Sequence, residues 1–122
     1  GVSDLTAMLR TERGGSIQNY QYWLRSIGNP NTLRDQLEAT SPRRQVSHVN
    51  VPVLLMHGEA DEVVLIRQSE MMERELREAG KSVRLVRFEG EGHIWDAWER
   101  ANRLTLFRET ESFLAEHLRG TP

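Results

Sequence analysis

The chain reads as an α/β protein that carries part of a parallel sheet. Three features lead there: a continuous apolar run, VPVLLMHG at 51–58; a roughly alternating run, SVRLVRFEG at 82–90; and helical spacing in the segment after each. Strand, helix, strand, helix in that order implies a right-handed crossover and a parallel strand pair with helices laid on it. Two strands leave both edges open and much of the apolar run uncovered, so the sheet is expected to be incomplete within these residues.

Residues 1–50 are expected to be rich in loops and short helices. Gly14, Gly15, Gly28, Asn29 and Pro30 punctuate a stretch whose aromatics, Tyr20, Tyr22 and Trp23, suit a short helix near Gln18 to Ile27. TLRDQLEAT at 32–40 reads as a second short helix, capped by Asn31 or Thr32 and ended before Ser41-Pro42. Residues 51–122 carry the clearer periodicity. Pro52 opens the first strand and Gly58 closes it, as in a strand covered on both faces. From about Arg67 to Ala79, Met72, Leu76 and Ala79 share one helical face, and Gly80 stands where a helix C-terminal glycine belongs. The charges of that helix suit a solvated face with Glu70–Arg74 and Glu73–Arg77 pairs. In the second strand Val83, Leu85 and Phe88 alternate with Arg84 and Arg87. Ala101, Leu104, Phe107, Leu114 and Leu118 then recur at helical spacing, which predicts a long amphipathic helix over Ala97 to Leu118.

Composition removes several function classes. A length of 122 residues suits one modest domain or part of a larger one. A formal net charge of −2 gives no footprint for nucleic acid or for an anionic membrane surface. Without cysteine there is no disulfide framework, thiolate nucleophile or cysteine zinc site, which fits a cytoplasmic location. No apolar run approaches the roughly 20 residues of a membrane helix, and GVSDLTAMLR lacks the basic start and apolar core of a signal peptide. The four histidines form no i, i+4 pair with one another, and EGEG at 89–92 has neither the lysine nor the spacing of a phosphate loop. No metal or cofactor is expected.

Open parallel sheets gather reactive groups beyond the carboxyl ends of their strands. Asp61, in HGEADEVV at 57–64, leaves the first strand, and His93, in EGEGHIW at 89–95, leaves the second. On neighbouring strands the two converge. A carboxylate accepting from one imidazole nitrogen fixes the tautomer and leaves the other nitrogen as a general base. Spacing alone also admits a plainer reading, Asp61 as a turn former or helix cap and His93 as a surface residue.

The stretch SPRRQVSHVNVPVLLMHGEADEVV at 41–64, with QSEMMERELREAGKSVRLVRFEGEGH at 68–93, resembles the C-terminal part of the hydrolase domain of the prolyl oligopeptidase family. The likeness covers Ser41-Pro42, Pro52, His57-Gly58, Asp61, Val64, Gln68-Ser69, Ala79-Gly80-Lys81 and Gly92-His93. GVSD at 1–4 is similar to the family stretch soon after the nucleophile helix. The resemblance implies an α/β-hydrolase fold, of which residues 1–122 form the C-terminal part, and a triad in chain order Ser, Asp, His. Asp61 and His93 match its second and third members. Val64 matches a position that tends to border the substrate side-chain pocket, although the proline that often follows is Leu65 here. Glu59 and Glu62 then flank Asp61 in solvent, His57 ends the strand structurally, and Trp95 serves as site wall or core packing.

The family's Gly-x-Ser-x-Gly elbow does not occur in these residues; GGSIQ around Ser16 has Gln18 in place of the second glycine and no apolar strand before it. The family also places its oxyanion-hole segment upstream. This chain is therefore expected to hold an acid and a base, to be inactive alone, and to act with an upstream portion bearing the serine. The expected activity is serine-type hydrolysis of peptides. Alternatives are an esterase on the same fold, or a non-catalytic module that associates through its open sheet, for instance with a second copy.

Overall fold

A computed structural model describes residues 1–118. Three helices come first: α1 (Leu5–Arg13), α2 (Ile17–Ser26) and α3 (Arg34–Thr40). Two single 3₁₀ turns, Pro42–Arg44 and Val46–His48, lead into β1 (Val53–Gly58), α4 (Arg67–Glu78) and β2 (Val83–Phe88). A further 3₁₀ turn, Trp95–Ala97, precedes α5 (Arg100–Leu118). The strands pair in parallel, in register from Val53 opposite Val83 to Gly58 opposite Phe88. Both strands thus end at the same level, and the loops that leave them start side by side. The chain has the architecture of a fragment of an α/β-hydrolase fold. Among the described residues no helix is long and apolar enough to cross a membrane.

The first segment is more ordered than its composition predicts. α1 lies where only loop was expected. Asp4 Oδ1 accepts from the Ala7 N–H at 2.8 Å, and the Gly14 N–H closes the helix on the Thr11 carbonyl at 3.0 Å. Only Thr6 and Leu9 of this helix are buried, too few to leave a periodic trace. α3 also departs from expectation: Leu33, rather than Asn31 or Thr32, occupies its N-cap and gives no side-chain bond. The turn before it is held instead by Asn29, whose Oδ1 accepts from the Asn31 N–H at 2.9 Å.

A polar seam fastens this segment to α4. Gln68 Oε1 accepts from the Ser3 and Asp4 N–H groups at 2.9 and 2.8 Å, all three residues being buried. Arg43 bridges Asp4 at 2.6 Å and Glu75 at 2.7 Å. Buried charges of this kind cost desolvation and persist because each is paired.

α4 forms as predicted, but its buried face is rotated. Met71 and Leu76 are buried with Gln68 and Ser69, whereas Met72 is half-buried and Ala79 exposed. The strands and the Pro42–Arg44 turn lie against that face, and Gln68 and Ser69 are buried by hydrogen bonding, which apolar periodicity does not register. Gly80, at φ +69°, ends the helix, and the Lys81 N–H returns to the Leu76 carbonyl at 2.8 Å. Glu73 pairs with Arg77 at 2.8 Å as predicted. Glu70 reaches across to Arg87 at 2.9 Å instead of to Arg74.

α5 starts at Arg100 rather than Ala97, because Trp95–Ala97 forms the 3₁₀ turn. Its expected core stripe is exposed: Leu104, Phe107 and Leu114 are about half open, Leu118 more so, and Ala101 is also exposed. A second stripe, Leu106, Thr110 and Phe113, is half-buried on the strand side, where Arg84 lies over the Phe113 ring at 5.9 Å. Apolar residues on two sides leave the helix without a single apolar face. β1 is only half-buried over Val53–Met56, as expected of an apolar run left partly uncovered within these residues. Both exposures follow from a sheet of two strands, which has too little surface to bury either.

Candidate active site

The shared level of the strand ends places the two predicted residues together. Asp61 Oδ2 stands 2.9 Å from His93 Nδ1. Asp61 is buried, and its Oδ1 accepts from the N–H groups of Val63 and Val64 at 2.9 and 2.8 Å. His93 is 45% exposed, and its Nε2 makes no hydrogen bond among the described residues. It lines a cleft of about 350 Å³ bounded by Met56, Gly58, Trp95, Trp98 and Phe107. Trp95, half exposed, meets Phe107 edge-on at 6.0 Å and forms part of the cleft wall.

Burial is the largest single influence on the Asp61 carboxyl and by itself would raise its pKa. Donation from the Val64 N–H, the His93 imidazole and the Val63 N–H together outweighs it and holds the carboxyl below its ordinary 3.8. Asp61 is therefore ionised at neutral pH and accepts a proton-bearing Nδ1. In neutral His93 the lone pair is then on Nε2, the atom a general base uses.

The sign of the linkage follows. With the folded value below the unfolded one, the stability contributed by Asp61 is fully present above about pH 4 and is lost as pH falls through the folded value. Denaturant unfolding at about pH 6 and about pH 3 is expected to show a larger loss for the native protein than for Asp61→Asn. Equal losses would contradict it.

What holds the histidine loop in place was not legible as a motif. A Cβ on Gly58 would stand 2.2 Å from the Glu91 carbonyl oxygen and 2.8 Å from that of Gly92. The end of β1 thus touches the backbone of the His93 loop, and Ala60 N–H donates to the Glu91 carbonyl at 2.9 Å. Only glycine permits that approach. Gly58→Ala is expected to cost about 3 kcal/mol in urea unfolding, as overpacking against fixed backbone does. A loss under about 0.5 kcal/mol would show that the approach is not needed.

Two further residues clamp the same loop. The Glu91 side chain, 6% exposed, accepts from the Glu99 N–H at 2.9 Å and from Asn102 Nδ2 at 2.6 Å, which ties the loop to the start of α5. Trp98 donates from Nε1 to the Gly92 carbonyl at 2.8 Å and lies against Phe88, ring centroids 4.7 Å apart. Both partners are set by tertiary folding, so no local spacing announces them.

The remaining candidates fall elsewhere. Val64 contributes backbone to Asp61, and its half-buried side chain lines a small cleft with Met8, Thr11, Glu12 and Leu65. Glu59 and Glu62 are exposed, as expected. Ser16 caps α2 and bonds Gln18 Oε1 at 3.0 Å. His48 bonds Gln45, and His57 is buried behind Asp61. Among the described residues no group of three or more potential metal ligands occurs.

The family model described as the Prolyl oligopeptidase family matches residues 1–121. A Bacillus subtilis strain 168 protein, the uncharacterized peptidase YuxL, is 36% identical over 59 residues, 48% of this chain and 9% of its own. A Mycobacterium tuberculosis puromycin-hydrolyzing peptidase superposes with a TM-score of 0.80 at 28% identity, over 100% of this chain and 18% of its own. An acylaminoacyl peptidase solved with Z-Gly-Gly-Phe-chloromethyl ketone gives 0.78 at 23% identity, over 100% of this chain and 19% of its own, a likeness of fold. The chain thus spans less than a fifth of the length of each of these three. With the family model matching all but the last residue, the chain belongs to the prolyl oligopeptidase family.

Proposed function

We propose that this chain supplies the acid and base of a serine peptidase whose nucleophile lies in an upstream portion of the same hydrolase domain. The observation that carries the reading is the 2.9 Å contact from Asp61 Oδ2 to His93 Nδ1, with Nε2 left free beside a cleft. Asp61 orients His93, and His93 Nε2 takes the serine proton as the hydroxyl attacks the acyl carbon. The imidazolium, stabilised by the ionised Asp61, returns that proton to the leaving amine. Val64 acts through its backbone, whose N–H meets Asp61 Oδ1 at 2.8 Å, while its side chain lies in a separate small cleft with Met8 and Thr11.

The upstream portion has surfaces to cover. Each strand has one edge unpaired among the described residues, and Leu104, Phe107 and Leu114 stay exposed beside Trp95. Exposed apolar stripes and open edges of this kind mark an interface. Peptides are the substrate class, supported by the likeness to proteins named as peptidases. Turnover of short peptide amides and of short acyl esters by the full-length protein tests this. Amide turnover is expected; turnover confined to esters would replace the reading with an esterase.

A further inference from the structure

Behind the Asp61–His93 contact lies a second imidazole that the reaction does not use. His57, 4% exposed at the end of β1, meets three groups. Its Nδ1 is 2.6 Å from Ser69 Oγ, and its Nε2 is 2.7 Å from the Val64 carbonyl oxygen and 3.3 Å from Asp61 Oδ2. A carbonyl oxygen only accepts, so the short contact to Val64 requires the proton on Nε2. Nδ1 of the neutral ring is then an acceptor, and the Ser69 hydroxyl donates to it. Ser69 stands in the first turn of α4, its own N–H bonded to the Ile66 carbonyl at 2.9 Å, so the helix fixes where that hydroxyl meets the ring.

We infer that His57 is a positioning residue for the acid–base couple, with the Val64 carbonyl setting its tautomer and Ser69 anchoring the ring at Nδ1. The inference rests on Asp61 and His93 being that couple. The Nε2–H of His57 donates to the Val64 carbonyl while Nε2 also lies near Asp61 Oδ2, and the two have linked consequences. Through the Val64 carbonyl it holds the peptide segment whose N–H groups meet Asp61 Oδ1. At 3.3 Å it also sits beside the oxygen that receives His93, so one carboxylate oxygen lies between two imidazole rings and is hydrogen-bonded to His93. The cluster reads hydroxyl to imidazole to the Val64 carbonyl, with the Asp61 carboxylate alongside and His93 on its far side.

Such a donor does more than fill space. It holds the Val64 peptide segment whose N–H groups fix Asp61 Oδ1, and its N–H dipole stands beside the charge on Oδ2. Without it Oδ2 carries more charge toward His93 and favours the imidazolium, so a base that must start neutral is engaged only at higher pH. Among the described residues, the titratable groups that meet this cluster are His57, Asp61 and His93. Glu91, on the His93 loop, turns to Glu99 and Asn102.

The test is fluorophosphonate inactivation of the full-length protein across pH, in which the serine oxygen bonds to phosphorus and fluoride leaves. The maximal inactivation rate and the half-saturating concentration are read separately. His57→Phe and Ser69→Ala are expected to lower the maximal rate roughly 10-fold, the effect of one lost hydrogen bond in the support of Asp61, and to leave half-saturation unchanged. Both move the acid limb of the rate profile to higher pH. His57→Gln, whose amide keeps a donor near the Nε2 position, and Ser69→Thr are expected to restore the limb. Ser69→Ala keeps the test decisive if His57→Phe does not fold. An unmoved acid limb in Ser69→Ala, or no recovery in the Gln and Thr variants, overturns the inference. Asp61→Asn separates the two levels: if it inactivates normally, the couple itself is misassigned. If it is inert while Ser69→Ala behaves as the native protein, only the role of His57 falls.

Discussion

His93→Ala in the full-length protein is expected to lower turnover by about 10⁶ while leaving stability nearly unchanged, as removal of a triad histidine does in subtilisin. The imidazole makes one hydrogen bond, to Asp61, and is 45% exposed, so its loss forfeits little packing. The loop that carries it is held by other residues, through the contact with Gly58, the Glu91 bonds to Glu99 and Asn102, and the Trp98 bond to Gly92. Activity and stability should therefore separate. Turnover of a peptide amide, with urea unfolding of the same preparation, checks both. Turnover within tenfold of native would remove His93 from the mechanism, and a large fall in stability would make it a structural residue.

Asp61→Asn is expected to lower turnover by about 10⁴, the magnitude of the corresponding change in a serine protease. The reason is visible in the acceptor pattern. Asp61 Oδ1 takes two backbone N–H groups, so an amide at this position keeps its oxygen there and turns its NH₂ toward His93. A donor facing Nδ1 forces the imidazole proton onto Nε2, the atom that must accept. The same NH₂ also opposes the Nε2–H of His57, which lies 3.3 Å from the present Oδ2. Rotating the amide would relieve both, but its NH₂ would then oppose the Val63 and Val64 N–H groups and leave two buried donors without an acceptor. Turnover measured with saturating substrate checks this, and a rate within tenfold of native would contradict the role of Asp61.

Asp61 and His93 were legible because each follows a strand signalled by a short apolar or alternating run, and a parallel pair must bring the following loops together. The resemblance to a family with a Ser, Asp, His order added roles to those positions. Helix α1 was illegible because only Thr6 and Leu9 face inward, and the glycines that end it read as loop. The orientation of α5 was illegible for another reason. Its apolar residues lie on two stripes, and which one meets the strands depends on how much sheet is present. Gly58 was read as the close of a strand, whereas its missing side chain is what lets the loops carrying Asp61 and His93 touch. His57 was read as a strand end; its links to Ser69, Val64 and Asp61 join positions up to 12 residues apart and no periodicity marks them.

The most direct measurement is the site of fluorophosphonate labelling in the full-length protein, by intact mass followed by peptide mapping, for the native protein and His93→Ala. One adduct on a serine upstream of residue 1, lost in His93→Ala, is the predicted result. An adduct on Ser16 or any other serine of these 122 residues, or labelling indifferent to His93, would contradict an Asp61–His93 couple serving a nucleophile from outside this chain.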